Sequence, residues 1–313
     1  MRDLANSEVV VLYGGLGPER AVSIESGKAV EASLKKQAGL KVRACCLDKP
    51  ELPDELKSDH QIVFPMLHGA FGEDGTLQKL LSERGICFVG SGAEASALCM
   101  NKYQTVAQVK DLGIACADSI AFSGDSVPLA DTVIEALGQS LVLKPSDSGS
   151  SHGLRLIENR SSLGLALSQI NSGNWMIEQR LLGRELSIGL LGGEPLEIVE
   201  IKTHRAAFDY HAKYESLETQ RICPAALSDQ IASTIAEAAR AIFSACDCLD
   251  CARIDFILVG DCPYFLEVNT IPGMSEHSLL PLSAGGRGID FDALTLKMLT
   301  LAADRCDSIN WSE

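Results

Sequence analysis

This chain is short of positive charge, of aromatic residues and of long apolar runs. Lys and Arg number 27 against 42 Asp and Glu, for a formal net charge of −15. That balance argues against nucleic acid or an anionic membrane as the main partner. An anionic substrate must instead be held by locally placed Lys, Arg and backbone N–H groups. No apolar run reaches the roughly 18 residues of a membrane span. The first residues, Met1 to Glu8, lack the apolar core of a secretory signal, and Val9–Tyr13 is only strand-length. A cytoplasmic protein is expected. There is no internal repeat and no low-complexity tract. Aromatics at 5% and apolar residues at 46% fit an ordinary soluble α/β enzyme, long enough for two or three cores.

Cysteine is the exception to this sparseness. There are eleven, an odd number with irregular spacing, most of them within strand or helix patterns. Reduced thiols in a cytosolic chain are expected. Cys246, Cys248 and Cys251 have zinc-like spacing, but no second half lies nearby, which favours core thiols.

Apolar patterns alternate between strand and helix over the first hundred residues. Val9–Tyr13, Val42–Leu47 and Ile62–Met66 read as strands, Ser23–Lys36 and Thr76–Arg84 as helices. This predicts an open, mostly parallel sheet with ligands beyond its carboxyl ends. After Lys102 the pattern changes. A helix over Tyr103–Leu112 precedes strands at Leu141–Lys144, Leu154–Ile157 and Trp175–Arg180, with a helix near Ser162–Ile170. Strands follow at Leu186–Leu191 and Leu196–Ile201, then a helix over Asp229–Cys246 that Ser228 can cap, and a last helix over Asp290–Ala303. The fold class is α/β, with three expected domains at 1–102, 103–183 and 184–313.

The segment richest in chemistry is Ala252-Arg253-Ile254-Asp255-Phe256, followed by Leu266-Glu267-Val268-Asn269-Thr270. The turn signal Gly260-Asp261-Cys262-Pro263 lies between them. In a hairpin about that turn Asp255 faces Glu267. Asn269 lies on the face of Glu267, and Arg253 on that of Asp255. Like charges opposite one another need a compensating cation. Hard oxygen ligands of this kind suit Mg²⁺ shared with substrate phosphates, and Mn²⁺ could replace it.

Other segments are ambiguous when read singly. Lys144-Pro145-Ser146-Asp147-Ser148-Gly149-Ser150-Ser151-His152-Gly153 either turns backbone N–H groups toward an anion or is an unliganded hairpin loop. Ile177 to Glu185 either cradles an adenine between lobes or carries solvated charge. Phe208-Asp209-Tyr210-His211-Ala212-Lys213-Tyr214 is either a lid or a surface loop. His68, in the glycine-rich run to Gly75, is either a substrate contact or structural. Gly15-x-Gly17 resembles part of a dinucleotide fingerprint but lacks the third glycine.

Taken in order, these segments resemble the D-alanine–D-alanine ligase family of ATP-grasp enzymes. The match runs from Gly14-Gly15, Glu19-Arg20 and Ser23, through His68 to Gly75 and Met100-Asn101-Lys102. It continues through Lys144 to Ser151, Glu178 to Glu185, Asp209 to Tyr214 and the hairpin, to Pro272-Gly273-Met274 and His277-Ser278-Leu279. The resemblance implies three lobes with ATP held between the second and third. It implies Lys102, Lys144, Ser151, Leu181 and Lys213 on ATP, and Glu178 and Glu185 on adenine and ribose. Two Mg²⁺ would sit on Asp255, Glu267 and Asn269. Glu19 would take the ammonium of the first D-alanine, linked to Ser150 and Tyr210 by hydrogen bonds. Arg253 and the Gly273 N–H would face the oxyanion, Ser278 the second substrate's carboxylate, with His68 and His277 nearby. The implied reaction makes an acyl phosphate and then a dipeptide for peptidoglycan, in a cytoplasmic homodimer.

Three positions depart from the family's usual residues: Asn101 for Asp, His152 for a small aliphatic residue and Phe208 for Tyr. Tyr210 favours an amine over D-lactate as second substrate. Ligases using D-lactate or D-serine, and a non-catalytic ATP-binding protein, are the alternatives; a nicotinamide-linked oxidoreductase is remote.

Overall fold

The computed structural model describes residues 4, 7–57, 60–149, 153–203 and 219–308. Ser150, Ser151, His152, Phe208, Asp209, Tyr210 and Lys213 lie outside them.

Strand β1 (Glu8–Gly14) is the pivot of the first sheet. Val9, Val10, Val11 and Leu12 are all fully buried, as expected of a parallel strand covered on both faces. With β2 (Lys41–Leu47), β3 (Gln61–Pro65) and β4 (Cys87–Phe88) it forms a parallel sheet in the order β2-β1-β3-β4. Helix α1 (Arg20–Lys35) follows β1. Ser23 Oγ fastens the two, accepting from Gly14 N (2.8 Å) and donating to Met66 O (2.5 Å). Helix α2 (Thr76–Glu83) and helix α3 (Ala93–Met100) complete this part.

The second sheet is antiparallel, order β5-β8-β6-β7, from Ser119–Ser123, Asn174–Gln179, Leu141–Pro145 and Arg155–Ile157. Helices α4 (Lys102–Asp111), α5 (Ala130–Leu137) and α6 (Arg160–Ser168) accompany it. Asn101, one of the departures noted above, is the N-cap of α4: its side chain accepts from Gln104 N at 3.1 Å. Asn and Asp serve this role about equally well.

The third sheet, also antiparallel, has the order β11-β10-β9-β12-β13. Its strands are β9 (Arg184–Leu191), β10 (Glu194–Lys202), β11 (Gln220–Ile222), β12 (Cys251–Val259) and β13 (Cys262–Asn269). Helix α7 (Asp229–Ala245) is capped by Ser228 as expected, at 3.3 Å from Ile231 N. Helices α8 (Leu279–Gly286) and α9 (Phe291–Ser308) end the described chain. Helix α9 returns to the first sheet: Leu294, Met298, Leu299 and Ala302 share one apolar cluster with Val9, Val30, Ile62 and Phe64.

One expectation is corrected here. Cys87 on β4 and Cys306 on α9 form a disulfide, with Sγ–Sγ 2.17 Å, so the chain is not wholly reduced. The return of α9 onto β4 brings together two cysteines 219 positions apart, a proximity that spacing does not reveal. Cys246, Cys248 and Cys251 are at most 4% exposed among apolar neighbours. Cys248 Sγ lies 3.9 Å from Cys99 Sγ. Among the described residues, no group of three or more His, Cys, Asp or Glu has metal-holding geometry, and no helix is long and apolar enough to cross a membrane.

Candidate active site

The hairpin β12–β13 sets Asp255 opposite Glu267 and Arg253 opposite Asn269. The register toward the turn is different: Phe256 faces Phe265 and Val259 faces Cys262. A bulge between Asp255 and Phe256 supplies the one-residue shift, and such bulges re-aim side chains beside functional sites. The charge compensation expected for the facing carboxylates comes from side chains. Arg253 Nη2 lies 2.9 Å from Asp255 Oδ2 and its Nε 3.0 Å from Oδ1. Lys102 Nζ lies 3.6 Å from Glu267 Oε2. Ser187 Oγ donates to Asp255 Oδ1 at 2.6 Å from the facing position on β9.

Asn269 Oδ1 is buried and has no hydrogen-bond partner among the described residues. Leaving a buried acceptor unmade is costly, so the atom is suited to a ligand. Two carboxylates and an orphaned amide oxygen fit a hard divalent cation.

Lys102 joins the hairpin to the glycine- and serine-rich loop, since its Nζ also donates to Ser148 O at 2.7 Å and its N–H to Ser146 O at 2.8 Å. Lys144, on β6, meets Glu178, on the neighbouring strand β8, at 2.5 Å; both are 7% exposed. These two residues, each expected to face a different part of ATP, are therefore direct partners. Glu185 lies on β9 of the third sheet, paired with Ile257. Leu181 is partly exposed in the connection between β8 and β9, whose next residue, Leu182, is 71% exposed.

A second group of candidate residues lies beyond the carboxyl ends of β1 and β3. Glu19, immediately before α1, is 6% exposed. Its Oε2 lies 2.5 Å from where a Cβ on Gly69 would stand and 3.1 Å from that of Gly149. Gly69 has φ +74°, so glycine is required there by conformation and by space. His68 Nε2 lies 3.4 Å from Ser26 Oγ, which accepts from Met274 N at 3.1 Å. Helix α1, the glycine-rich loop and the segment after β13 thus meet at His68. Ser278 Oγ accepts from Ser275 N at 2.9 Å and lies 2.9 Å from the position of a Gly273 Cβ. His277 is exposed beside it. Reading the sequence missed Ser26 and Ser187; lone serines on a helix and a strand carry no motif that would reveal them.

Burial lowers the His68 pKa from 6.5 to about 4; a backbone hydrogen bond with Ile271 opposes the shift and Arg253 adds to it. The imidazole is therefore neutral at pH 7. An unfolded chain takes up the proton near 6.5 while the folded one resists until about 4, so this stabilising contribution is complete above 6.5 and is lost as pH falls toward 4. Urea unfolding at pH 7 and pH 5 should show the parent losing on the order of 1–2 kcal/mol more than His68→Gln over that interval. Equal losses would place His68 in water.

Residues 108–300 match the family described as D-ala D-ala ligase C-terminus, and residues 47–91 that described as D-ala D-ala ligase N-terminus. A D-alanine–D-alanine ligase of Citrifermentans bemidjiense is 38% identical over 312 residues, covering 97% of this chain and 98% of its own. One from Anaeromyxobacter sp. (strain K) is 37% identical, covering 97% and 99%. The crystal structure of the Bacillus anthracis D-alanine–D-alanine ligase complexed with ATP has a TM-score of 0.86 at 28% identity, covering 96% of this chain and 99% of that one. The VanG D-Ala:D-Ser ligase of Enterococcus faecalis scores 0.83 at 27% identity, covering 95% and 99%. On a matched span of more than half its length and on relatives aligned nearly end to end, this chain belongs to the D-alanine–D-alanine ligase family.

Proposed function

We infer that the protein joins two D-alanines at the expense of ATP, giving the dipeptide of a cell-wall precursor with ADP and phosphate. The observation that carries this reading is the hairpin face of Asp255, Glu267 and Asn269, set beside Lys102 and Arg253, in a chain of this family. The first D-alanine's carboxylate oxygen attacks the γ-phosphorus of ATP, and ADP leaves. The second D-alanine's amine then attacks the acyl carbon, the bond to phosphate breaks, and the amine gives up a proton.

The family resemblance supports a part for each residue. Glu19, a buried carboxylate against Gly69, takes the first ammonium. Arg253 faces the carbonyl oxygen as charge develops there, together with the Gly273 N–H. Ser278, against Gly273, binds the second carboxylate. Lys102 and Lys144 meet ATP phosphates, while Glu178, Leu181 and Glu185 hold its nucleoside part. Ser150, Ser151, Tyr210 and Lys213 would act from outside the described residues. Asp255, Glu267 and Asn269 would hold Mg²⁺, which when bound offsets the charge repulsion between carboxylate and triphosphate. An acyl phosphate exposed to water would hydrolyse, so the cleft must close over it.

We further propose domains at 1–102, 103–183 and 184–313; each of the three sheets falls within one of these ranges. A cytoplasmic homodimer is proposed on the family resemblance, with small molecules rather than nucleic acid or membrane as partners. The dimer is tested by sedimentation of the purified protein.

The activity is tested by incubating purified protein with ATP, Mg²⁺ and an equimolar mixture of D-alanine, D-serine and D-lactate, with products identified by mass spectrometry. D-alanyl-D-alanine should dominate. A dominant D-alanyl-D-serine product would move the chain toward the specificity named for its D-Ala:D-Ser neighbour, and ATP binding without any product would reject catalysis.

A further inference from the structure

Glu73 has no part in the reaction described so far, yet its side chain reaches into the first-substrate wall. It is 8% exposed, and its Oε2 accepts from Gly69 N at 2.5 Å. The turn between the two is closed twice more, by Gly72 N and Glu73 N donating to Gly69 O at 3.1 and 2.9 Å. Gly69 is also the residue against which the Glu19 carboxylate rests, with 2.5 Å left for a Cβ. One bare peptide thus stands between two buried carboxyl groups.

We propose that Glu73 is a positioning residue for Glu19: by fixing the Gly69 peptide it forms the seat of the carboxylate that receives the first substrate's ammonium. The inference rests on the ammonium reading of Glu19 given above. A surface loop could hold its own turn with backbone bonds alone. Spending a buried carboxyl group on one N–H is better explained by what rests on the other side of that peptide.

The groups facing Glu73 are Glu19 before α1, Arg253 on β12 and Glu267 on β13. Burial, then repulsion from Glu19, pushes its pKa up to about 8, against the Gly69 N–H and Arg253, while Glu267 adds to the rise. Near neutral pH the Glu73 side chain is held mostly as the acid. A glutamine has nearly the same shape and keeps an oxygen for Gly69 N–H.

The test is a steady-state analysis of Glu73→Ala, Glu73→Gln, Gly69→Ala and Glu19→Gln, fitting separate KM values for the first and second D-alanine and for ATP, with melting temperatures measured alongside. Glu73→Ala should raise the first-substrate KM about tenfold or more with the ATP KM little changed, a loss of binding rather than of chemistry. Glu73→Gln should recover most of that loss, and Gly69→Ala should reproduce it by pushing a methyl into Glu19. If Glu19→Gln raises the first-substrate KM but Glu73→Ala and Gly69→Ala do not, the positioning role is wrong and the ammonium reading stands. If Glu19→Gln leaves that KM unmoved, the ammonium reading fails and takes the proposal with it. Uniform changes in all three KM values that track melting temperature would reduce Glu73 to a fastener of its own loop.

Discussion

Glu267→Gln should lower turnover by at least about 100-fold, the upper end of what losing an outer-sphere partner of a metal costs, while leaving the melting temperature unchanged or slightly raised. The two halves of this expectation have one cause. Glu267 faces Asp255 across the hairpin, and like charges so placed oppose folding, so the amide relieves repulsion while weakening the hold on a divalent cation. Lys102 loses an ion-pair partner at 3.6 Å but keeps Ser148 O at 2.7 Å, so its position survives the change. Part of the lost activity should return as Mg²⁺ is raised, because a weakened site is filled by mass action. Turnover unchanged at low Mg²⁺ would show that the hairpin does not hold the metal.

The second large effect is expected at Lys144→Met, and there stability and activity should fall together. Lys144 and Glu178 are paired at 2.5 Å with 7% of each exposed. Removing one partner strands a charge in a poorly solvated place, which costs about 3–5 kcal/mol, whereas replacing both with apolar residues is often neutral or stabilising. Chemical denaturation should therefore show a severe loss in Lys144→Met and recovery in the double variant Lys144→Met, Glu178→Leu. Activity should not recover in the double variant, because the cation proposed for the ATP phosphates is not restored. Full recovery of both would assign the pair to structure alone, and no stability loss in the single variant would mean that solvent reaches Glu178.

The elements that could be read from the sequence are those whose pattern is local and strong. Val9 to Leu12 is apolar at every position and is the fully buried centre of a parallel sheet. Ser228 before an amphipathic run is the cap it promises. Helix α3 escapes a sequence reading because Ala93–Met100 is mostly small residues without an apolar stripe, and β5, Ser-Ile-Ala-Phe-Ser, because it is short and carries only two large apolar side chains. A turn centred on Asp261 predicts the facing of Asp255 and Glu267, whereas the observed turn is centred between Gly260 and Asp261. The hairpin closes with a different register, and only the bulge after Asp255 restores the expected pair. Partners lying far apart in the chain were beyond reach. Ser187 finds Asp255 because β9 lies beside β12, and Lys144 finds Glu178 because β8 inserts next to β6. Both follow from strand order, which local pattern does not encode.

The return of α9 to the first sheet bears on how the chain is made. Val9, Ile62 and Phe64 share their apolar cluster with Met298 and Leu299, which a ribosome delivers long after the strands of the first sheet. Until they emerge, Val30 and Leu34 of α1 supply only part of that cluster, and the rest of its apolar surface stays open. Arrival of α9, rather than synthesis of the first hundred residues, is then the event that completes the packing of the amino-terminal half.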